Sequence, residues 1–110
     1  MANLDRTQLL RQFTEEEPEN PFNWYALALE YKESEAGLAK SLFNKLLTEH
    51  AEYLPTYFTA AHFFAELEEI ELADQIFQKG IALAKSQNEL KTLQELQNAY
   101  QNFLFENDMD

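Results

Sequence analysis

Apolar residues recur at intervals of three and four along most of the chain, which is the spacing of one helix face. The clearest such face belongs to a predicted third helix and consists of Leu38, Leu42, Phe43, Leu46 and Leu47. A later stripe, between Leu90 and Leu104, repeats at about 3.5 residues. No segment alternates apolar and polar residues as a half-buried strand does, so the pattern predicts an all-α fold.

Capping residues and prolines mark the first two helices. Asp5 and Gln8 form a capping-box pattern that opens the first helix. Asn20-Pro21 places a good N-cap residue before a proline at the first helical position, so a second helix begins there. We expect this helix to continue to about Ser34, where Ala36-Gly37 breaks it.

Four further helices follow from the same signals. The third is predicted from about Leu38 to His50, and Leu54-Pro55 starts the fourth. The fourth pauses around Glu68-Glu69, a fifth extends from about Glu71 to Lys85, and Asn88 caps the sixth. Because the inferred connections are only about two to six residues long, consecutive helices are predicted to pack as antiparallel hairpins.

The chain matches itself when it is shifted by 33 or 34 residues. At the shorter shift, four residues of the second helix match four of the fourth, namely Trp24, Leu27, Ala28 and Tyr31 over Tyr57, Ala60, Ala61 and Phe64. At the longer shift, four residues of the third helix match four of the fifth, namely Leu38, Ala39, Phe43 and Leu46 over Leu72, Ala73, Phe77 and Gly80. The extra residue falls in a turn, where a loop absorbs it.

The repeated residues form a packing scheme. A large aromatic residue such as Trp24 needs a small neighbour, here Ala28, so that the next helix can approach closely, and Ala39 supplies the matching small surface. Phe43 then fills the volume between one hairpin and the next. The second copy has the equivalent residues Tyr57, Ala61, Ala73 and Phe77. Neither hairpin alone buries both of its faces, so the scheme predicts stacking.

A known family shares this motif. The first copy is Trp24-x2-Leu27-Ala28-x2-Tyr31 followed by Ala39-x3-Phe43. It resembles the tetratricopeptide-repeat signature, with alanine in place of the glycine. The second copy departs from the signature at its start, with Tyr57, Ala60 and Phe64, whereas Ala73-x3-Phe77-x2-Gly80 keeps the spacing.

The resemblance implies a right-handed helix-hairpin solenoid of about six antiparallel helices, in a single domain over residues 1–110. Its parts are a half-repeat helix (4–17), repeat 1 (21–52), repeat 2 (54–86), a capping helix (88–105) and a polar tail (106–110). The sixth helix resembles a cap because polar residues stand where the aromatic and small residues would recur. The implied repeat-packing residues are Trp24, Leu27, Ala28, Tyr31, Ala39, Phe43, Tyr57, Ala61, Phe64, Ala73, Phe77 and Gly80.

The resemblance also implies a function and a site. In this family the first helix of each hairpin lines a concave groove that binds a peptide or helix of a partner protein, and the protein acts as a non-enzymatic adaptor or scaffold. Here the groove residues would be Phe22, Tyr25, Leu29 and Lys32 from one hairpin and Phe58, Thr59, His62 and Glu66 from the next. Two interpretations of His62 stay open, groove-lining residue or half-buried filler. A covering of the groove by the sixth helix also stays open.

One form of the family's groove captures a C-terminal carboxylate through Lys, Asn and Arg side chains. The matching positions here are Tyr25, Leu29, Thr59, Glu89 and Leu93, so the chain offers no cation for a carboxylate. Because Glu89 would repel a carboxylate, we do not expect capture of acidic tails.

Composition narrows the range of partners and locations. The 110 residues carry 20 Asp and Glu against eight Lys and Arg, a net charge of -12 that repels nucleic acid and anionic membranes. The same charge suits a basic protein partner, and it equally serves solubility alone. Cysteine is absent, and neither a secretory leader nor an apolar run of about 18 residues is present, so we expect a soluble, cytoplasmic protein.

The sequence has few residues of the types that act in catalysis. His50 and His62 are the two histidines, and the residues three before them, Leu47 and Thr59, exclude the Glu-x-x-His motifs of a di-iron bundle. The acidic run 15–17 is typical of a solvated surface. We therefore predict no enzymatic activity, no metal and no cofactor.

Two other functions stay open. One is self-association as a homodimer through apolar residues of the end helices, such as Phe103, Leu104 and Phe105. The other is a small helical-bundle enzyme or cofactor carrier.

Overall fold

The computed structural model describes residues 2–109, with side chains from residue 6 onward. The described chain is all-helical and contains no strand. Its helices are α1 (Ala2–Glu16), α2 (Pro21–Tyr31), α3 (Ala36–Glu49), α4 (Pro55–Glu66), α5 (Ile70–Ser86) and α6 (Leu90–Glu106). They form two compact units, Met1–Thr56 and Tyr57–Asp110.

The first unit holds α1, α2 and α3. Pro21 occupies the first turn of α2, and the side chain of Asn20 accepts a hydrogen bond from the backbone N–H of Phe22 at 3.1 Å, as expected of an N-cap. α1 packs on α2, where the Arg11 Nε donates to the Tyr31 hydroxyl at 2.8 Å. The predicted capping box at Asp5 falls on a side chain outside the described residues.

The turn between α2 and α3 differs from the prediction. α2 ends at Tyr31, and the N–H groups of Ser34 and Glu35 donate to the Tyr31 carbonyl at 3.1 and 2.7 Å. Ala36-Gly37 does not break a helix but opens α3, and Gly37 has no positive φ. The prediction treated glycine as a breaker, whereas an early helical position tolerates it.

The second unit holds most of α4 together with α5 and α6. α4 and α5 approach closely at Gly80, where an added Cβ would lie 2.7 Å from the Cβ of Tyr57. α6 packs on α5 through the buried ring of Phe77, whose centroid lies 5.5 Å from Tyr100 and 5.2 Å from Phe103. The short turns 67–69 and 87–89 reverse the chain between these helices.

The three helices of the second unit end in the same way. Glu68, Asn88 and Asp108 each have a positive φ, of 66°, 62° and 54°. The N–H of each and of the residue that follows donate to carbonyls three and five positions earlier, which is the Schellman arrangement. Asn88 therefore closes α5, and the prediction that it caps α6 is wrong, because Glu89 is the N-cap residue of α6.

Glutamates stand at the N-caps of α3, α5 and α6. Glu35, Glu69 and Glu89 make no side-chain capping hydrogen bond. Glu106, predicted to begin a polar tail, is the last residue of α6, and the final residue of that tail lies outside the described part of the chain.

The twelve predicted repeat-packing residues differ little in burial. All except Trp24 are buried, and Trp24 is half-buried. Its indole Nε1 donates to the Pro18 carbonyl at 2.8 Å, and the Lys45 ammonium lies 4.6 Å from its ring centroid. The aromatic ring thus contacts α3 while its polar edge reaches the loop before α2.

Candidate binding groove

The second unit contains a groove of about 880 Å³. α4 supplies one wall, with Ala65 and Glu66, and α6 supplies the other, with Glu95, Asn98, Ala99, Asn102 and Glu106. The rings of Phe58, His62 and Phe103 also line the groove, and we call these three rings its floor. Glu68 and Ile70, between α4 and α5, and Asn107 complete the lining. We call this surface the α4–α6 groove.

Phe58 and His62 form the exposed aromatic part of the groove. They lie four residues apart on α4, so they share a face, and their ring centroids are 4.7 Å apart at an angle of 50°. Phe58 is 39% exposed and His62 is also exposed. The His62 ring meets the fully buried ring of Phe77 edge-on at 5.6 Å. Two neighbouring rings therefore hold the imidazole in place at the surface.

A hydrogen-bonded cluster fixes α6 against α5. The Tyr100 hydroxyl donates to the Asp74 carboxylate at 2.6 Å, and the Gln78 Nε2 donates to both, at 3.1 Å to Tyr100 and 2.9 Å to Asp74. Desolvation, helped by the hydrogen bond and negative charge of Asp74, raises the pKa of Tyr100. The phenol consequently stays protonated, and it holds the far wall of the groove in place.

The α6 wall carries a polar stripe. Glu95, Asn98, Asn102 and Glu106 recur at intervals of three and four, so they lie on one face beside the buried Leu96 and Phe103. Carboxylates accept hydrogen bonds, whereas the two amides both donate and accept them. Asn107 closes the end of the stripe by donating from Nδ2 to the Phe103 carbonyl at 2.9 Å.

The sequence prediction does not include this α6 stripe, because it assigns the sixth helix to a cap that could cover the groove and not to a wall that lines it. The signal was nevertheless present, since Asn and Glu at helical spacing adjoin the apolar stripe of the same helix.

The predicted groove residues of repeat 2 separate into two groups. Phe58, His62 and Glu66 line the α4–α6 groove, whereas Thr59 is half-buried and does not line it. α6 leaves Phe58 and His62 exposed rather than covering them. His62 lines the α4–α6 groove and is exposed, so it is not a half-buried filler.

The predicted residues of repeat 1 lie in the first unit, along α2. Phe22 and Leu29 are exposed. Tyr25 is half-buried and meets Tyr53 edge-on at 5.8 Å, and burial followed by the charge of Tyr25 raises the pKa of Tyr53. Lys32 forms a long ion pair of 3.9 Å with Glu33. This stripe is apolar and aromatic, with a cation at its end.

The residues proposed for self-association differ in burial. Phe103 is buried and Leu104 half-buried, so neither is the exposed apolar residue that the prediction required. Phe105 is 81% exposed. The helical repeat explains the difference, because Phe103 packs against Phe77 while Phe105 points about 200° away.

Potential metal ligands are dispersed over residues 6–109. No three His, Cys, Asp or Glu side chains in that range come together so that they could hold a metal ion. No helix in the described stretch is long and apolar enough to cross a bilayer. Comparisons with protein-family models, with curated proteins and with solved structures gave no match.

Proposed function

We propose that the protein is a non-enzymatic adaptor that binds a peptide or helix of a partner protein in the α4–α6 groove. The observation that carries the proposal is the exposed pair Phe58 and His62, held on a helix and facing an open groove of about 880 Å³. Aromatic side chains add contact area at low entropy cost and are enriched where binding energy concentrates.

The scaffold in this proposal is a right-handed tetratricopeptide-like solenoid. Fully buried residues occupy equivalent positions of the two copies, namely Ala28 and Ala61, Ala39 and Ala73, and Phe43 and Phe77. Their burial supports the repeat interpretation, because small residues permit the close helix approach that the motif needs. The absence of cysteine supports a cytoplasmic location for such an adaptor.

The lining favours recognition over chemistry. Its polar groups are carboxylates and amides around an apolar floor, with one imidazole whose ring packs between Phe58 and Phe77. Such a lining suits hydrogen bonds and apolar contacts with a polypeptide. A peptide or helix would then be held by its side chains and by backbone hydrogen bonds to the amides.

Capture of cellular proteins by the tagged full chain tests the proposal. We expect Phe58→Asp to remove the proteins that wild type captures, because it places a charge on the groove floor. Leu67→Asp is the matched control, since Leu67 has the same 39% exposure and does not line the groove. Helical content is measured for each variant by circular dichroism.

Asn102→Lys provides a second groove variant on the opposite wall, in case Phe58→Asp disturbs folding. If all folded variants capture the wild-type set of proteins, the α4–α6 groove is not the binding surface.

A further inference from the structure

The charge around the α4–α6 groove has one sign. Glu66 and Glu68 lie on the α4 side, and Glu95 and Glu106 lie on α6. No Lys or Arg is among the lining residues. The two walls therefore present negative charge toward the same apolar floor.

The rest of the described chain does not neutralise these carboxylates. Ion pairs join Arg6 to Glu30, Lys32 to Glu33 and Lys45 to Glu49, all in the first unit. The four groove glutamates make no ion pair or side-chain hydrogen bond within residues 6–109. Their charge is available to a partner.

We infer that the occupant of the groove is a basic amphipathic segment of another protein. Such a segment would place an apolar side chain on the floor formed by Phe58, His62 and Phe103 and would direct Lys or Arg side chains to both walls. This inference rests on the proposed function, because it names the partner of the same groove.

The two parts of the groove have different roles in recognition. The floor provides affinity by burying apolar surface. Each exposed ion pair contributes little affinity, but four carboxylates without a cation speed the approach of a basic segment and repel an acidic one. The charge thus determines which segments approach the groove, and the floor provides the affinity.

The volume of the groove and its two asparagine side chains suit a short segment. A groove of about 880 Å³ accommodates several side chains rather than one. Asn98 and Asn102 offer donors and acceptors on one wall, so they can bind backbone groups that the segment leaves exposed. Nucleic acid is not a candidate, because its phosphates would face the four carboxylates.

Selection of peptides from a random display library tests the inference. The immobilised full chain is the bait, the displayed peptides are about 12 residues long, and binders to Phe58→Asp are removed. We expect the enriched peptides to be rich in Lys and Arg and to contain an aromatic or aliphatic anchor, because both the walls and the floor must be satisfied.

Affinity measurements on synthetic copies of the enriched peptides then isolate the charge. We expect the Kd to rise about tenfold in Glu66→Gln with Glu95→Gln, and to rise again between about 50 and about 500 mM salt. Glu71→Gln with Glu89→Gln is the control, because both residues are exposed in the same unit and neither lines the groove. Its Kd should equal that of wild type.

The outcomes separate the two proposals. Neutral or acidic peptides that need Phe58 would overturn the basic-segment inference and leave the proposed function standing. Basic peptides found only in the fraction removed with Phe58→Asp would show attraction to the acidic surface alone and overturn both. An absence of enrichment over Phe58→Asp would also overturn both.

Discussion

At the scale of single residues, Gly80 shows how closely two helices approach. It is buried on α5, and an added Cβ would lie 2.7 Å from the Cβ of Tyr57 and 3.4 Å from a methyl group of Leu96. The first of these neighbours is close to the backbone of α4 and cannot turn away. The glycine therefore serves packing, since its φ is not positive and requires no conformational freedom.

We expect Gly80→Ala to lower the free energy of unfolding by about 1–3 kcal/mol through overpacking, despite the better helix propensity of alanine. Gly37→Ala is the control, because nothing lies within 4 Å of an added Cβ there. That change should stabilise the protein by about 0.5 kcal/mol. Urea unfolding of both variants measures the difference, and equal effects would contradict the close approach of α4 and α5.

Tyr100 gives a pH-dependent prediction. The pKa of Tyr100 in the folded chain is raised above the ordinary 10.0. At a pH between the unfolded and the folded pKa, the unfolded chain has therefore lost a proton that the folded chain retains. Stability from this group is complete below the ordinary pKa and falls as the pH rises through the folded pKa. We expect the stability advantage of wild type over Tyr100→Phe to shrink above pH 10, as measured by thermal unfolding at several pH values. If the stabilities of wild type and Tyr100→Phe changed in parallel with pH, the raised pKa of Tyr100 would be contradicted.

Trp24 shows what a residue pattern leaves out. The repeat motif predicted a fully packed aromatic residue, and the structure places a half-buried one. An indole has a polar edge, which here reaches the Pro18 carbonyl. The motif specifies the size and the spacing of side chains. It therefore predicts where the Trp24 ring lies, but not that the hydrogen bond from its N–H leaves the side chain partly exposed.

At the scale of elements, the ends of helices were harder to predict than their existence. α2 and α4 begin at the prolines that predicted them, Pro21 and Pro55. Glu68 and Asp108 carry no such signal, because the left-handed position at a helix C-terminus usually holds glycine. The glycine that usually marks this position was therefore missing, while the hydrogen-bonding requirement was met without it.

We expect Glu68→Gly to raise the free energy of unfolding by about 0.5 kcal/mol. The φ of 66° costs a residue with a Cβ about 1 kcal/mol, and the greater freedom of glycine in the unfolded chain offsets part of the gain. Glu68→Gln keeps the cost and removes the charge, so it serves as the control. A loss like the one expected for Gln75→Gly at an exposed position of α5, about 1 kcal/mol within a helix, would contradict the role of the turn.

At the scale of the whole molecule, the all-α fold was predictable, whereas the α4–α6 groove was not, because the predicted groove is lined by the first helices of both hairpins and shares only residues of α4 with it. The repeat placed Phe58, His62 and Glu66 on one face of α4 because each repeat position has a fixed helical phase. The wall from α6 could not follow from the repeat, since that helix lacks the motif. Asn102 and Glu106 reach the groove through packing of α6 on α5, which depends on Phe77 and Tyr100 rather than on a repeated pattern.

The net charge of -12 acts on the whole chain as well as on the groove. Twenty acidic residues against eight basic ones repel one another in the compact state, and salt screens this repulsion. The same screening would weaken the binding of a basic partner to the groove. Salt is therefore expected to act in opposite directions on folding and on binding.

The placement of Trp24 makes the protein its own optical reporter. It is the chain's one tryptophan, and it belongs to the first compact unit, so indole emission follows the unfolding of that unit alone. Far-ultraviolet dichroism follows the helices of both units. Coincidence of the two melting curves would mean that the units unfold together, and separation would give each its own transition temperature.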